Sequence, residues 1–312
     1  MVTKSAPDLS SILTPEIFHA VLKNRIPWPK DKELDFTIIG PYWWHATKEV
    51  RNDLLRICVP VLKALSELDL LSFSPEELNL MQYLPDPSSK EFPEQALGCV
   101  LLLGQGPRNL SGTDCRWRYS YFDYLSQPLV RKLWALLDGK SPCSKMRWME
   151  ELGVPFDYWS IVRVWFIAPL AHSEDVKDHE SYLKFTAQGR KETLEYTGVP
   201  DPYEKDRERL LKDELAYPRW LPDGPPHGPG AKVEHFAYWM FIMVDVHKAV
   251  IDKYGRYPER NAAKGRETRD AELGYLQMTK DFFGEMDPRD VRQLREDVLA
   301  ERWTPLKGIS ES

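Results

Sequence analysis

The chain reads as all-α, a multi-helix bundle of antiparallel helical hairpins. Three observations carry that reading. Apolar residues recur at three- and four-residue steps in several long stretches, the period of a helix with one buried face. Helix-start signatures and helix-ending glycines stand at the borders of those stretches. Alternation at a period of two, the mark of a half-buried strand, is almost absent.

In chain order, Thr14-Pro15-Glu16 sets a capping hydroxyl, a proline for the first turn and a carboxylate beside the dipole, and predicts a helix facing inward through Ile17, Val21 and Leu22. From Glu49, the residues Val50, Leu54, Ile57, Val61, Leu65 and Leu68 predict a second helix, kinked or split by Pro60. Ser74-Pro75-Glu76-Glu77 marks another start. Phe92 to Leu103 is dense and apolar, and fits a buried helix or a strand. Pro128 to Leu137 reads as a helix ended near Gly139, Trp159 to Leu170 as an apolar segment, and Ser173 to Phe185 as an amphipathic, highly charged one. Asp201 to Ala216 has the charge pattern of a helix, whereas Leu221 to Gly230 is loop. His235 to Tyr254 is the clearest helix, with Gly255 where a C-terminal glycine belongs, and a last helix runs from about Pro288 to Trp303.

The chain has 312 residues, 42% hydrophobic and 12% aromatic with 11 Trp, which supplies a core and excludes global disorder. Its expected organisation is a helical extension over 1–90 packed on a helical core over 91–312, with a Pro/Gly-rich loop near 217–231. A net charge of −6 without a basic block speaks against a nucleic-acid surface. No apolar run reaches the length of a membrane span, and residues 1–11 lack the apolar stretch of a secretory signal, so a cytoplasmic protein is expected. Cys58, Cys99, Cys115 and Cys143 are far apart with no C-x-x-C pair, which argues against zinc ribbons and thioredoxin-like motifs.

Two turns stand out, Leu103-Gly104-Gln105-Gly106-Pro107-Arg108-Asn109 and Tyr254-Gly255-Arg256-Tyr257-Pro258-Glu259-Arg260-Asn261. Each follows an apolar run and presents a permanent cation beside an amide. That pairing suits an anionic or carbonyl-bearing ligand, or else a structural clamp. Gly104-x-Gly106 is not a dinucleotide loop: Asn109 stands at the third glycine, and Pro107 removes a backbone donor. Gly-x-Ser-x-Gly, His-Glu-x-x-His and P-loop motifs are missing.

Leu101 to Asn109, His172-Ser173-Glu174-Asp175, and the stretch from His247-Lys248 through Arg260-Asn261 to Gly265-Arg266-Glu267 together resemble the DUF924 family, over roughly Phe92 to Leu276. Those are helical proteins of bacteria and fungi. The resemblance implies a TPR-like arrangement of helices and supplies no reaction. This chain departs from the family pattern where Gly104 and Gly106 replace a carboxylate and an aromatic ring beside Gln105, and where Leu170-Ala171 precede the His-Ser-Glu-Asp element. Two glycines in place of bulk predict an enlarged pocket there.

If His172, Asp175 and His179 shared one continuous helix, their spacing would align them for a divalent metal. The preferred reading makes Ser173 a helix cap with Glu174 and Asp175 in the first turn, and expects no metal. His247 shares a helical stripe with Phe236, Met240, Met243 and Val250, and is a core histidine unless it faces His172. The aromatic clusters Tyr42-Trp43-Trp44-His45 and Trp117 to Tyr124 either line a cavity for a planar ligand or pack the core. The expected catalytic residues are His172, Glu174, Asp175 and His247. The expected ligand contacts are Gln105, Arg108, Asn109, Arg260, Asn261 and Arg266. The function expected is a cofactor-independent isomerase, cyclase, lyase or hydrolase acting on a small polar-aromatic molecule, with histidine moving the proton and arginine steadying an oxyanion. The alternative is a non-catalytic scaffold presenting a groove to a peptide or protein. On the catalytic reading, Arg108→Ala removes ligand binding and leaves the thermal midpoint nearly intact.

Overall fold

Thr14 caps the first helix as its hydroxyl predicts, accepting the Ile17 amide at the start of Pro15–Arg25. This is a computed structural model; it describes residues 5–110, 115–137, 139–283 and 286–307, and the regular elements among them are all helical. None of these helices is long and apolar enough to cross a membrane. The chain forms two compact units, one from residues up to 32, 48–155 and 303 onward, the other from 33–47 and 156–302. The boundary expected near residue 90 therefore falls inside the first unit, and 33–47 belongs with the second.

In the first unit the helices Pro15–Arg25, Lys48–Ser66, Phe92–Gly104 and Asp123–Trp134 pack on one another. Phe92–Gly104 settles the helix-or-strand ambiguity. Nearly all its residues are buried, so no face is left to show a period. Pro60 lies inside Lys48–Ser66 without splitting it. Gly98 is the point of closest approach: a Cβ there would stand 2.2 Å from the Phe18 carbonyl oxygen and 2.8 Å from its Cα. Backbone cannot yield as a side chain tip can. Gly98→Ala is expected to lower stability by about 1–3 kcal/mol through overpacking, read as a lower urea midpoint at unchanged slope. Trp117 donates to the Thr304 carbonyl, and the Arg116 guanidinium lies 3.7 Å from the Trp303 ring centroid, so the second aromatic cluster is packing.

The second unit is built on Val176–Thr197 against Val233–Asp245, with Phe36–Trp44 and Phe156–Arg163 packed on the latter and Asp270–Phe283 against the turn Pro258–Arg260. Two expectations need correction. Asp175, not Ser173, caps the long helix by accepting the Lys177 amide; the Ser173 hydroxyl instead accepts from Asp175 N, one step earlier. The predicted helix over His235–Tyr254 is two, Val233–Asp245 and His247–Tyr254, with a tight turn at Val246. The reason is local. The His247 ring takes a proton-donor role toward the Met243 carbonyl, the acceptor that residue 247's own amide addresses in an uninterrupted helix. The charged segment 201–216 holds one helical turn, Arg207–Leu210. Here Asp245, fully buried, accepts from Thr186 and Arg207 and pairs with Arg190, anchoring this segment to the core.

Candidate functional site

The first Arg-Asn turn is closed upon itself. Arg108 donates to the Gly104 carbonyl at 2.6 Å and pairs with Asp123 at 2.8 Å. Asn109 donates to the Gln105 carbonyl at 2.9 Å, and Arg118 holds the carbonyls of Pro107 and Leu110. The space expected from Gly106 is filled: a Cβ there would meet Cys58 at 3.2 Å and Leu62 at 3.6 Å. Gln105, Arg108 and Asn109 thus fasten the first unit internally. The enlarged pocket expected around the two glycines is, at Gly106, packed against Cys58.

The second turn gathers more. Helix His247–Tyr254 ends at Gly255, whose φ of 70° suits a residue without a side chain. The chain then reverses so that Arg256 reaches Glu272 through Nε and Nη2, at 2.6 and 2.9 Å. Asn261 and the Arg269 amide also donate to Glu272, each at 2.9 Å. Chiefly through Arg256, these donors pull the Glu272 carboxyl down to about 2. A parallel clamp ties Glu174: Arg266 grips it at 2.7 and 3.0 Å and the Tyr257 amide donates at 3.0 Å. Despite burial, those bonds hold Glu174 below the usual carboxylate range. Arg260 donates to the His172 carbonyl at 2.7 Å and lies 4.0 Å over the Tyr257 ring.

The structure therefore brings His172, Glu174, His247, Arg260, Asn261 and Arg266 into one neighbourhood of the second unit. Asp175 stands apart at the exposed helix cap. The His172/Asp175/His179 trio does not share a helix, which starts only at Val176, and His179 spends one nitrogen on the Ser173 carbonyl and the other on the Tyr182 hydroxyl. Among the described residues no group of three His, Cys, Asp or Glu is placed to hold a metal ion.

His247 does face His172, their ring centroids 6.1 Å apart. A carbonyl only accepts, so the bond to Met243 fixes the proton on Nδ1 and leaves Nε2 as an acceptor. Burial pushes the imidazole down to about 3. It is neutral at physiological pH, with Nε2 held in a fixed orientation.

A group that sequence reasoning missed lies closer to neutrality. Glu259 has a side chain only 9% exposed, and its Oε2 has no hydrogen-bonding partner among the described residues. Burial pushes its carboxyl up to about 7, against the opposing pull of Arg260. Around it lie buried phenols: Tyr257, donating to the Ala171 carbonyl, and Tyr275, whose hydroxyl has no partner among the described residues. Burial raises both phenols, and Glu259 raises them further. Tyr217 completes the group, its ring centroid 4.0 Å from that of His247 and 5.5 Å from that of Phe282. Only local sequence pointed to Glu259, and Pro-Glu-Arg in a turn reads as a solvated ion pair. Tyr257 and Tyr275, which feel its charge, belong with Val250, Ile251 and Tyr254 to an apolar cluster assembled from two helices and a turn.

Phe282 also lines an open, mostly apolar cleft of about 760 Å³, together with Trp44, Leu215, Pro218 and Met278. The Tyr217 ring thus packs on Phe282 of this cleft and on His247. Of the first aromatic group, Trp43 packs against Trp165 and Phe236, while Trp44 lines the cleft.

The family model described as "Bacterial protein of unknown function (DUF924)" matches residues 40–280. No curated protein and no solved structure matches the chain. The matched span takes in both Arg-Asn turns, the His-Ser-Glu-Asp element and Glu259, and on that span the chain belongs to the DUF924 family.

Proposed function

We propose that this chain is a cofactor-independent enzyme acting on a small polar-aromatic molecule by acid–base chemistry, an isomerase, cyclase, lyase or hydrolase, with Glu259 as the group that moves the proton. One observation carries the reading: a buried carboxyl poised near neutrality, one oxygen unpartnered, beside the fixed charge of Arg260 and the phenols of Tyr257 and Tyr275. A general acid or base works best with a pKa near the working pH, and unsatisfied buried polar atoms gather where a polar reactant is received. His247 Nε2 offers an acceptor of fixed orientation, and Arg260 supplies positive charge where an oxygen becomes anionic. Entry is through the cleft past Tyr217. His172, Glu174, Asn261 and Arg266 then act as the frame that holds the turn.

The test is Glu259→Gln in two assays. Incubated with a cell metabolite extract and followed by mass spectrometry, the wild type is expected to change a small molecule with a rate that breaks near pH 7, and the variant is expected not to. Stability supplies the control. The folded carboxyl titrates near 7 against an ordinary 4.5, so a penalty grows as pH rises above 4.5 and is complete past 7. Glutamine mimics the protonated form. The variant should match the wild type below pH 4.5 and exceed it by about 3 kcal/mol above pH 7. Unchanged turnover in a variant with that stability signature would remove the role from Glu259.

The scaffold reading keeps one observation of its own. Arg108 and Arg266 are spent in ion pairs and the cleft is open and mostly apolar, as a peptide groove would be. A wild type that changes no metabolite yet binds peptides in this cleft would favour it.

A further inference from the structure

A second, shallow and open cleft of the same unit, about 460 Å³, is lined by Tyr203, Trp220 and Trp239 and by the loop that carries Asp223, Pro225 and His227. The rings of Tyr203 and Trp220 stand 5.5 Å apart at 52°, two walls of a corner. Trp239, 4% exposed, is braced from behind by Trp44 at 4.9 Å and 86°. Among the described residues lining this cleft there is neither lysine nor arginine, and Asp223 brings a carboxylate. His227 Nδ1 donates to the Pro225 carbonyl at 3.0 Å, a bond within its own loop.

The loop is held in place. Gly224 has a φ of 68°, and a Cβ on it would stand 2.9 Å from Trp44 Cβ. Gly40 lets Pro225 approach: a Cβ there would lie 2.8 Å from Pro225 Cγ. His45 Nε2 donates to the Asp223 carbonyl at 3.3 Å. The loop backbone at Asp223 and the Trp239 ring are thus placed before any ligand arrives, so less ordering is left for binding to offset.

Aromatic faces present negative potential, and a carboxylate adds a full charge. A cation without hydrogen-bond donors suits such walls, because it loses little hydration on entry. We propose that this cleft is an aromatic cage for a small molecule bearing a quaternary ammonium group, a site separate from Glu259 and independent of any chemistry there.

The probe is choline, titrated calorimetrically into the full chain beside 3,3-dimethyl-1-butanol, its uncharged isostere. Choline is expected to bind at least tenfold more tightly than the isostere. Trp220→Leu should weaken choline at least tenfold, and Asp223→Asn, which leaves the walls untouched, about threefold to tenfold. Glu259→Gln should bind choline as the wild type does, so this site and the proposed catalytic group fail or stand separately. Equal binding of choline and its isostere, or choline binding unmoved by Asp223→Asn, would overturn the cage. A peptide carrying one trimethyl-lysine that binds tenfold more tightly than choline would overturn the small-molecule source.

Discussion

Glu272→Ala is expected to destabilise the second unit by about 3–5 kcal/mol, the loss seen when one partner of a buried ion pair is removed. Glu272 is fully buried and receives Arg256 through two nitrogens, Asn261, and the Arg269 amide. Removing the carboxylate strands Arg256, itself 8% exposed, along with an amide and a backbone donor. The sign with pH follows from the depressed carboxyl. Folded Glu272 titrates near 2 against an ordinary 4.5, so its stabilisation is whole above pH 4.5 and is lost as pH falls toward 2. Chemical denaturation of wild type and variant at pH 7 and pH 3 should show the gap narrowing at the lower pH. A gap of equal size at both would place the loss in packing and not in the charge.

Arg108→Ala is expected to cost about 3 kcal/mol in the first unit. Its guanidinium is 15% exposed and its partner Asp123 5%, and it also holds the Gly104 carbonyl that ends the Phe92–Gly104 helix. The change leaves a buried carboxylate and an unmet helix-end carbonyl. This reverses the expectation read from sequence, where Arg108 gripped a ligand and its loss spared the midpoint. A double-mutant cycle with Asp123→Ala separates the two. Strong coupling, with the pair losing much less than the sum of the singles, is the expected result. Additive losses would show that Arg108 and Asp123 do not stabilise each other.

The helical character of the chain was legible because caps and periods are local. Thr14, Ser74, Asp287 and Gly255 stand at the ends they announce. What misled was any feature decided by a distant partner. Asp175 and Ser173 are both good capping residues, and sequence alone does not choose between neighbours with the same chemistry. The turn at Val246 comes from an imidazole bonding the preceding turn, which leaves the apolar stripe unbroken. Near the candidate site, the sequence singled out arginines and histidines that the fold brings together, but not what they bond. An arginine beside an asparagine looks alike whether it holds a ligand or a carbonyl. Glu259 was not marked because its burial and raised carboxyl come from the fold and not from its neighbours in sequence. Trp44 and Trp220 likewise gain meaning only from the loop that Gly224 lets pass.

The interleaving of the two units bears on how the chain is made. The polypeptide passes from one to the other after residues 32, 47, 155 and 302. Trp303 and Thr304, among the last described residues, are the ones that meet Arg116 and Trp117. During synthesis the first unit therefore has to wait until residues 303 and 304 are translated before those contacts can form. Closing contacts across such long separations is slow, and the waiting unit exposes apolar surface meanwhile. No single cut in the gene releases either half intact, so an expression strategy that seeks one half needs a circular permutation or a spliced-in linker, not a truncation.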